Sequence, residues 1–80
     1  MDAKNIAQII EEKVKASIQD LTFYRLDDTS GGCGQSFRAI IIAKEFNGVS
    51  LLDRQRKINE ILNDEITSIH AFEMKTWTPE

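Results

Sequence analysis

The longest uninterrupted apolar run in the chain is Ala39-Ile40-Ile41-Ile42-Ala43, set within SFRAIIIAK at residues 36–44. Five residues fall far short of the ~20 that a membrane helix needs. Three consecutive isoleucines favour extended backbone, where a branched Cβ packs well. A near-continuous apolar run predicts a strand covered on much of both faces, hence central in its sheet. The 80 residues allow one core around that strand, so residues 1–80 are read as a single domain. Hydrophobic residues at 41% and charged residues at 29% are ordinary for a globule and exclude a disordered chain.

The flanking segments supply layers to cover the strand. Ile6, Ile10, Val14 and Ile18 recur every four residues, with Ala3, Ala7, Ala16 and Leu21 broadening the stripe. An amphipathic helix over about residues 3–19 follows, with Asp2 as N-cap. Leu21 to Asp28 is rich in strand formers, and Thr29-Ser30-Gly31-Gly32-Cys33-Gly34 reads as a flexible loop. Phe46 to Val49 is a turn. Ser50 is the N-cap of a helix over about residues 51–63, with Asp53 three positions on in a variant of the capping box. Leu51, Leu52, Ile58, Ile61 and Leu62 share its buried face, and Asn63-Asp64-Glu65 closes it. Ile69 to Trp77 is the last strand, with His70, Phe72 and Met74 on one face and Glu73 and Lys75 on the other. The order is αββαβ, an α+β fold. The first two strands should pair antiparallel, with both helices on one face of a three-stranded sheet.

One cysteine, Cys33, and one histidine, His70, bound the metal chemistry. No internal disulfide is available, which fits a reducing compartment. A structural zinc site takes four Cys or His ligands, and a D-x-D-x-D-G calcium loop is absent. If Cys33 and His70 hold a soft metal, another molecule must complete the coordination sphere. Iron–sulfur clusters accept such a mixture of thiolate and imidazole. The plainer alternatives are a surface thiol without a role and a half-buried histidine bonded to a carbonyl. A catalytic Cys–His pair would need an orienting third group and an oxyanion hole, and no motif supplies them.

Charge narrows the partners. Ten basic against thirteen acidic residues give a net −3, so the whole molecule is not a polyanion binder. Positive charge is local: Arg38, Lys44, Arg54, Arg56 and Lys57 face only Glu45 and Asp53 within residues 37–57. A solvated helix face explains that stretch most simply; a surface for an acidic partner or a phosphate backbone is the other reading. Gly31-Gly32-Cys33-Gly34 spells the G-x-x-G of RNA-binding KH domains, but here it joins two strands and carries no cation. Acidic residues near the N-terminus argue against a targeting peptide, so the expected compartment is the cytosol, with the nucleus as a second.

Three stretches together resemble the BolA family, in its eukaryotic cytosolic branch. They are Ser36-Phe37-Arg38, then Phe46-Asn47-Gly48-Val49-Ser50-Leu51-Leu52-Asp53-Arg54-Gln55-Arg56, then Ile69-His70-Ala71-Phe72-Glu73-Met74-Lys75-Thr76-Trp77-Thr78-Pro79. The resemblance runs over roughly residues 2–79. It implies an αββαβ fold related to class II KH domains, with a mixed three-stranded sheet. It also implies a non-enzymatic role in cluster trafficking and iron homeostasis, with a monothiol glutaredoxin as partner in a heterodimer bridged by a [2Fe–2S] cluster.

In that arrangement the glutaredoxin brings its active-site cysteine and a bound glutathione. His70 and Cys33 match the family's ligand positions, and no cofactor is expected on the isolated protein. Arg54, Arg56, Phe72, Lys75, Thr76 and Thr78 fall where the partner would dock. The alternative is a KH-like nucleic-acid-binding regulator acting through Arg54, Arg56 and Lys57; net charge argues against it.

Overall fold

A computed structural model describes residues 5–79. The order is α1 (Ile6–Ser17), β1 (Leu21–Asp28), β2 (Ser36–Ala43), a 3-10 turn (Lys44–Phe46), α2 (Leu51–Ile61), α3 (Asn63–Ser68) and β3 (Ala71–Trp77). The sheet order is β1-β2-β3, so the isoleucine strand is central. β1 pairs antiparallel and β3 parallel to β2, giving a mixed sheet. A parallel neighbour needs a crossover, which α2 and α3 provide. No helix of the described residues is long and apolar enough to cross a membrane.

The core forms between one sheet face and the helices. Phe37, Ala39, Ile41 and Ala43 of β2 are buried, as are Ile10, Val14, Ile18, Phe46, Ile58 and Leu62. The four-residue stripe of α1 is therefore its packed face. The opposite sheet face is open. Phe23, Ile42 and Trp77 line up across it in register, and Phe23 and Trp77 are exposed. Coverage on both faces of β2 is thus not found: Arg38 is exposed and Ile40 and Ile42 only half-buried, because every helix packs on the same side.

Other boundaries differ for local reasons. Asn5 caps α1, its side chain accepting from the Gln8 amide at 2.9 Å while Gln8 Oε1 accepts from the Asn5 amide at 3.1 Å. This reciprocal box starts the helix later than the Asp2 cap expected, and Asp2 and Ala3 lie outside the described residues. Ser50 caps α2 as expected, accepting from the Asp53 amide at 3.2 Å.

Leu51 and Leu52 are not core. Each is 57% exposed, because the stripe of α2 runs past the end of the packed region. Phe46 is buried in the core, with the Arg54 guanidinium 6.0 Å from its ring centroid. Asn63-Asp64-Glu65 does not end the helical segment. It begins α3, in which Glu65 is buried and paired with Lys13 of α1 at 2.8 Å. The hydrogen bond to Glu65 holds the Lys13 ammonium above its usual range.

Candidate metal centre

The β1–β2 loop is organised by one carboxylate. Asp28 Oδ1 accepts from the Ser30 amide at 2.8 Å and from the Ser30 hydroxyl at 2.6 Å. Its Oδ2 accepts from the Gly34 amide at 2.9 Å, across the loop. The Ser30 hydroxyl in turn accepts from the Gln35 amide at 3.1 Å. Gly31, Gly32 and Gly34 have φ of 75°, 92° and 70°, backbone that side chains resist, so the closed loop needs its glycines. Cys33 is presented from it, exposed.

His70 stands immediately before β3 and is exposed, not half-buried as the plainer alternative would have it. Its amide donates to the Gln35 carbonyl at 2.6 Å, and the Ala71 amide donates to the same oxygen at 3.2 Å. Gln35 thus ties the end of the cysteine loop to the histidine, 35 positions further along the chain. The next pair in register is Ser36 with Ala71. Cys33 also lines a groove of about 350 Å³ with Ile6, Leu26, Asp28 and Phe37; His70 does not line it.

These two side chains fit one side of a shared site. No group of three or more His, Cys, Asp or Glu placed to hold a metal occurs among the described residues. One thiol and one imidazole, both open to solvent, with the His70 amide bonded to a carbonyl two residues after Cys33, are donor types suited to a cluster completed by another molecule.

The residues expected to meet a partner separate into two groups. Arg56 and Lys75 are exposed and Thr78 is half-buried. Arg54 turns inward: its Nε donates to the Val49 carbonyl and its Nη1 to the Thr76 carbonyl, each at 2.9 Å. Thr76 is 1% exposed with its hydroxyl unpaired, and Phe72 packs against the core. Those three side chains support the surface from within, because strand alternation points residues 72 and 76 toward the helices. Thr78 follows β3, whose seven residues span about 23 Å at ~3.3 Å each, so it lies at the far end from His70. The cations of the nucleic-acid reading are largely engaged. Lys57 bonds the Glu45 carboxylate, Arg56 stands 3.7 Å from Asp53, and Arg54 serves the two carbonyls.

Asp28 is the residue that the sequence reading passed over. Its signal was an acid followed two positions later by serine in a glycine-rich loop, the pattern of an Asx turn. The Ser30 hydroxyl, then the Ser30 amide, hold its carboxyl below the usual carboxylate value. The folded pKa is therefore below the unfolded one of ~3.9, so the clamp contributes fully above that value and is lost as pH falls through the lower one. In an NMR titration, the Gly34 amide resonance should move with a midpoint below ~3.9. A midpoint above it would contradict the clamp.

The fold defines a small αββαβ domain that exposes one thiol and one imidazole at one end of a mixed sheet. The chain belongs to the BolA family: the family model for BolA-like proteins matches residues 5–80. Mouse BolA-like protein 2 is 39% identical over 74 residues, covering 92% of this chain and 86% of the relative. Among solved structures, BolA1 from Arabidopsis thaliana superposes with a TM-score of 0.88 at 25% identity, covering 96% of this chain and 95% of that one. A Bol-like protein from Babesia bovis gives 0.77 at 42% identity, covering 99% and 87%. The expected αββαβ fold and the likeness to eukaryotic members are both borne out.

Proposed function

We propose that the protein is a non-enzymatic iron–sulfur adaptor. It forms a heterodimer with a monothiol glutaredoxin around a shared [2Fe–2S] cluster, in cluster trafficking and iron homeostasis of the cytosol and nucleus. The observation that carries this reading is the pair Cys33 and His70. Both are exposed, the His70 amide bonds the carbonyl of Gln35 two residues after Cys33, and no group of three or more His, Cys, Asp or Glu placed to hold a metal occurs among the described residues.

The cluster is cargo, and its irons accept one thiolate and one imidazole from this chain. Cys33 supplies the thiolate from a loop closed by Asp28. His70 supplies a ring nitrogen from the rigid start of β3. The partner's active-site cysteine and a glutathione supply the rest, so the isolated protein carries no cofactor. Arg56 on α2, Lys75 on the open sheet face and Thr78 beyond β3 are the partner contacts, with Arg54, Phe72 and Thr76 supporting them from within. Lys75 and Trp77 share the open face of the sheet, where an acidic and apolar partner surface finds both charge and contact.

A visible circular-dichroism titration into anaerobic [2Fe–2S] monothiol glutaredoxin tests this. Wild type should give a new spectrum saturating at about one equivalent, and Cys33→Ala and His70→Ala should each alter it at unchanged thermal stability. An unchanged spectrum with no co-elution on sizing would remove the adaptor reading.

A further inference from the structure

The hydrogen bonds around the loop form one continuous relay. Asp28 accepts from Ser30, the Ser30 hydroxyl accepts from the Gln35 amide, and the Gln35 carbonyl accepts from the His70 amide. The second oxygen of Asp28 holds Gly34, the residue directly after Cys33. Cys33 thus sits between two loop positions fastened to the same carboxylate, while the far end of the relay is fastened to the backbone of His70. Without it, three glycines with positive φ would leave the thiol sampling many positions.

We infer that Asp28 and Ser30 are positioning residues for the cluster ligands: they register the cysteine loop against the start of β3, so that thiol and imidazole are presented together. This inference rests on the reading of Cys33 and His70 as ligands. Neither residue touches the cluster. Their effect is on how well the two donors are pre-arranged, and supporting partners of metal ligands typically change affinity by about 10–100-fold when removed. Asp28→Ala removes every acceptor on the carboxylate. Asp28→Asn keeps one oxygen and turns the other into a donor facing a donor, so it is intermediate. Ser30→Ala breaks the link to Gln35 while leaving Asp28 bonded to two amides.

The test has two arms. In the isolated protein, amide exchange by NMR should accelerate at Gly34, Gln35 and His70 in Asp28→Ala, and at Gln35 and His70 in Ser30→Ala. Exchange in the core of β2 should keep its wild-type rate. In the complex with [2Fe–2S] glutaredoxin and glutathione, release of iron to a chelator should rise on the order of tenfold for Asp28→Ala. Asp28→Asn should release iron at a rate between Asp28→Ala and wild type, and the cluster's visible circular dichroism should change at wild-type thermal stability. A merely structural role would move stability and leave the spectrum alone.

Wild-type exchange at Gly34 and Gln35 in Asp28→Ala overturns the inference. So does a wild-type spectrum and release rate in Asp28→Ala when Cys33→Ala changes both. If Cys33→Ala and His70→Ala themselves leave the cluster unchanged, the adaptor reading fails instead. The relay between loop and strand is then upheld or overturned by the exchange rates alone.

Discussion

Leu62→Ala should lower the unfolding free energy by about 2–5 kcal/mol, and Leu52→Ala should change it by no more than about 0.5. Both leucines belong to the apolar stripe read from residues 51–62, but only Leu62 is fully buried, among Ile10, Ile41 and Ile58. Truncating it removes methyl groups from a core closed on one side by a sheet and on the other by helices, which cannot collapse to fill the space. Leu52 is 57% exposed and leaves no cavity. For 80 residues the whole stability is roughly 4–12 kcal/mol, so the first change takes away a large share and the second almost none. Urea unfolding at constant m-value measures both. Equal losses at the two positions would show that the start of α2 is packed after all.

Arg54→Ala should destabilise by about 2–4 kcal/mol, against about 0.5 or less for Arg56→Ala. Two bonds from the guanidinium reach the Val49 and Thr76 carbonyls at 2.9 Å each, joining the entrance of α2 to the end of β3. Hydrogen bonds from a charged donor contribute ~1.5–3 kcal/mol each, and the sum is reduced here because the side chain is only half-buried. Truncation also takes the guanidinium donor away from both carbonyls. Arg54→Lys keeps the charge but not the planar fork, so it should restore less than half the loss. Arg56, 66% exposed and 3.7 Å from Asp53, has no comparable anchor. Thermal unfolding of the three variants distinguishes a structural clamp from a binding residue. Equal, negligible shifts for Arg54→Ala and Arg56→Ala would return Arg54 to the binding surface.

Much of the site was legible because its chemistry lies in residue types. With a single cysteine and a single histidine, a soft-metal site could hold at most two such ligands from this chain. The tie between Gln35, two residues after Cys33, and the His70 amide was not legible, since it depends on β2 and β3 pairing in parallel over 35 positions of sequence. The roles of Arg54, Phe72 and Thr76 were misplaced for a related reason. A matching motif gives identity at a position but not the direction of the side chain, and here the direction is inward. Asp28 was passed over because an acid at a strand end reads as a turn residue; its use appears only when Ser30, Gly34 and Gln35 close around it.

What the sequence determined by itself is local and periodic. The four-residue stripe of α1, the β-branched strand at 36–43, the Ser50 cap and the glycine loop follow from backbone preference and spacing, which neighbouring residues enforce without help from distant ones. Tertiary structure alone decided how far each stripe is covered. Every helix lies on one side of the sheet, so the central strand is half-open, and Leu51 and Leu52 extend beyond the core. The helical chain also continues past Leu62, because Glu65 finds the half-exposed Lys13 on α1 and is buried beside it. Burial and ion pairing depend on elements distant in sequence, and no local pattern of residues encodes which of them will arrive.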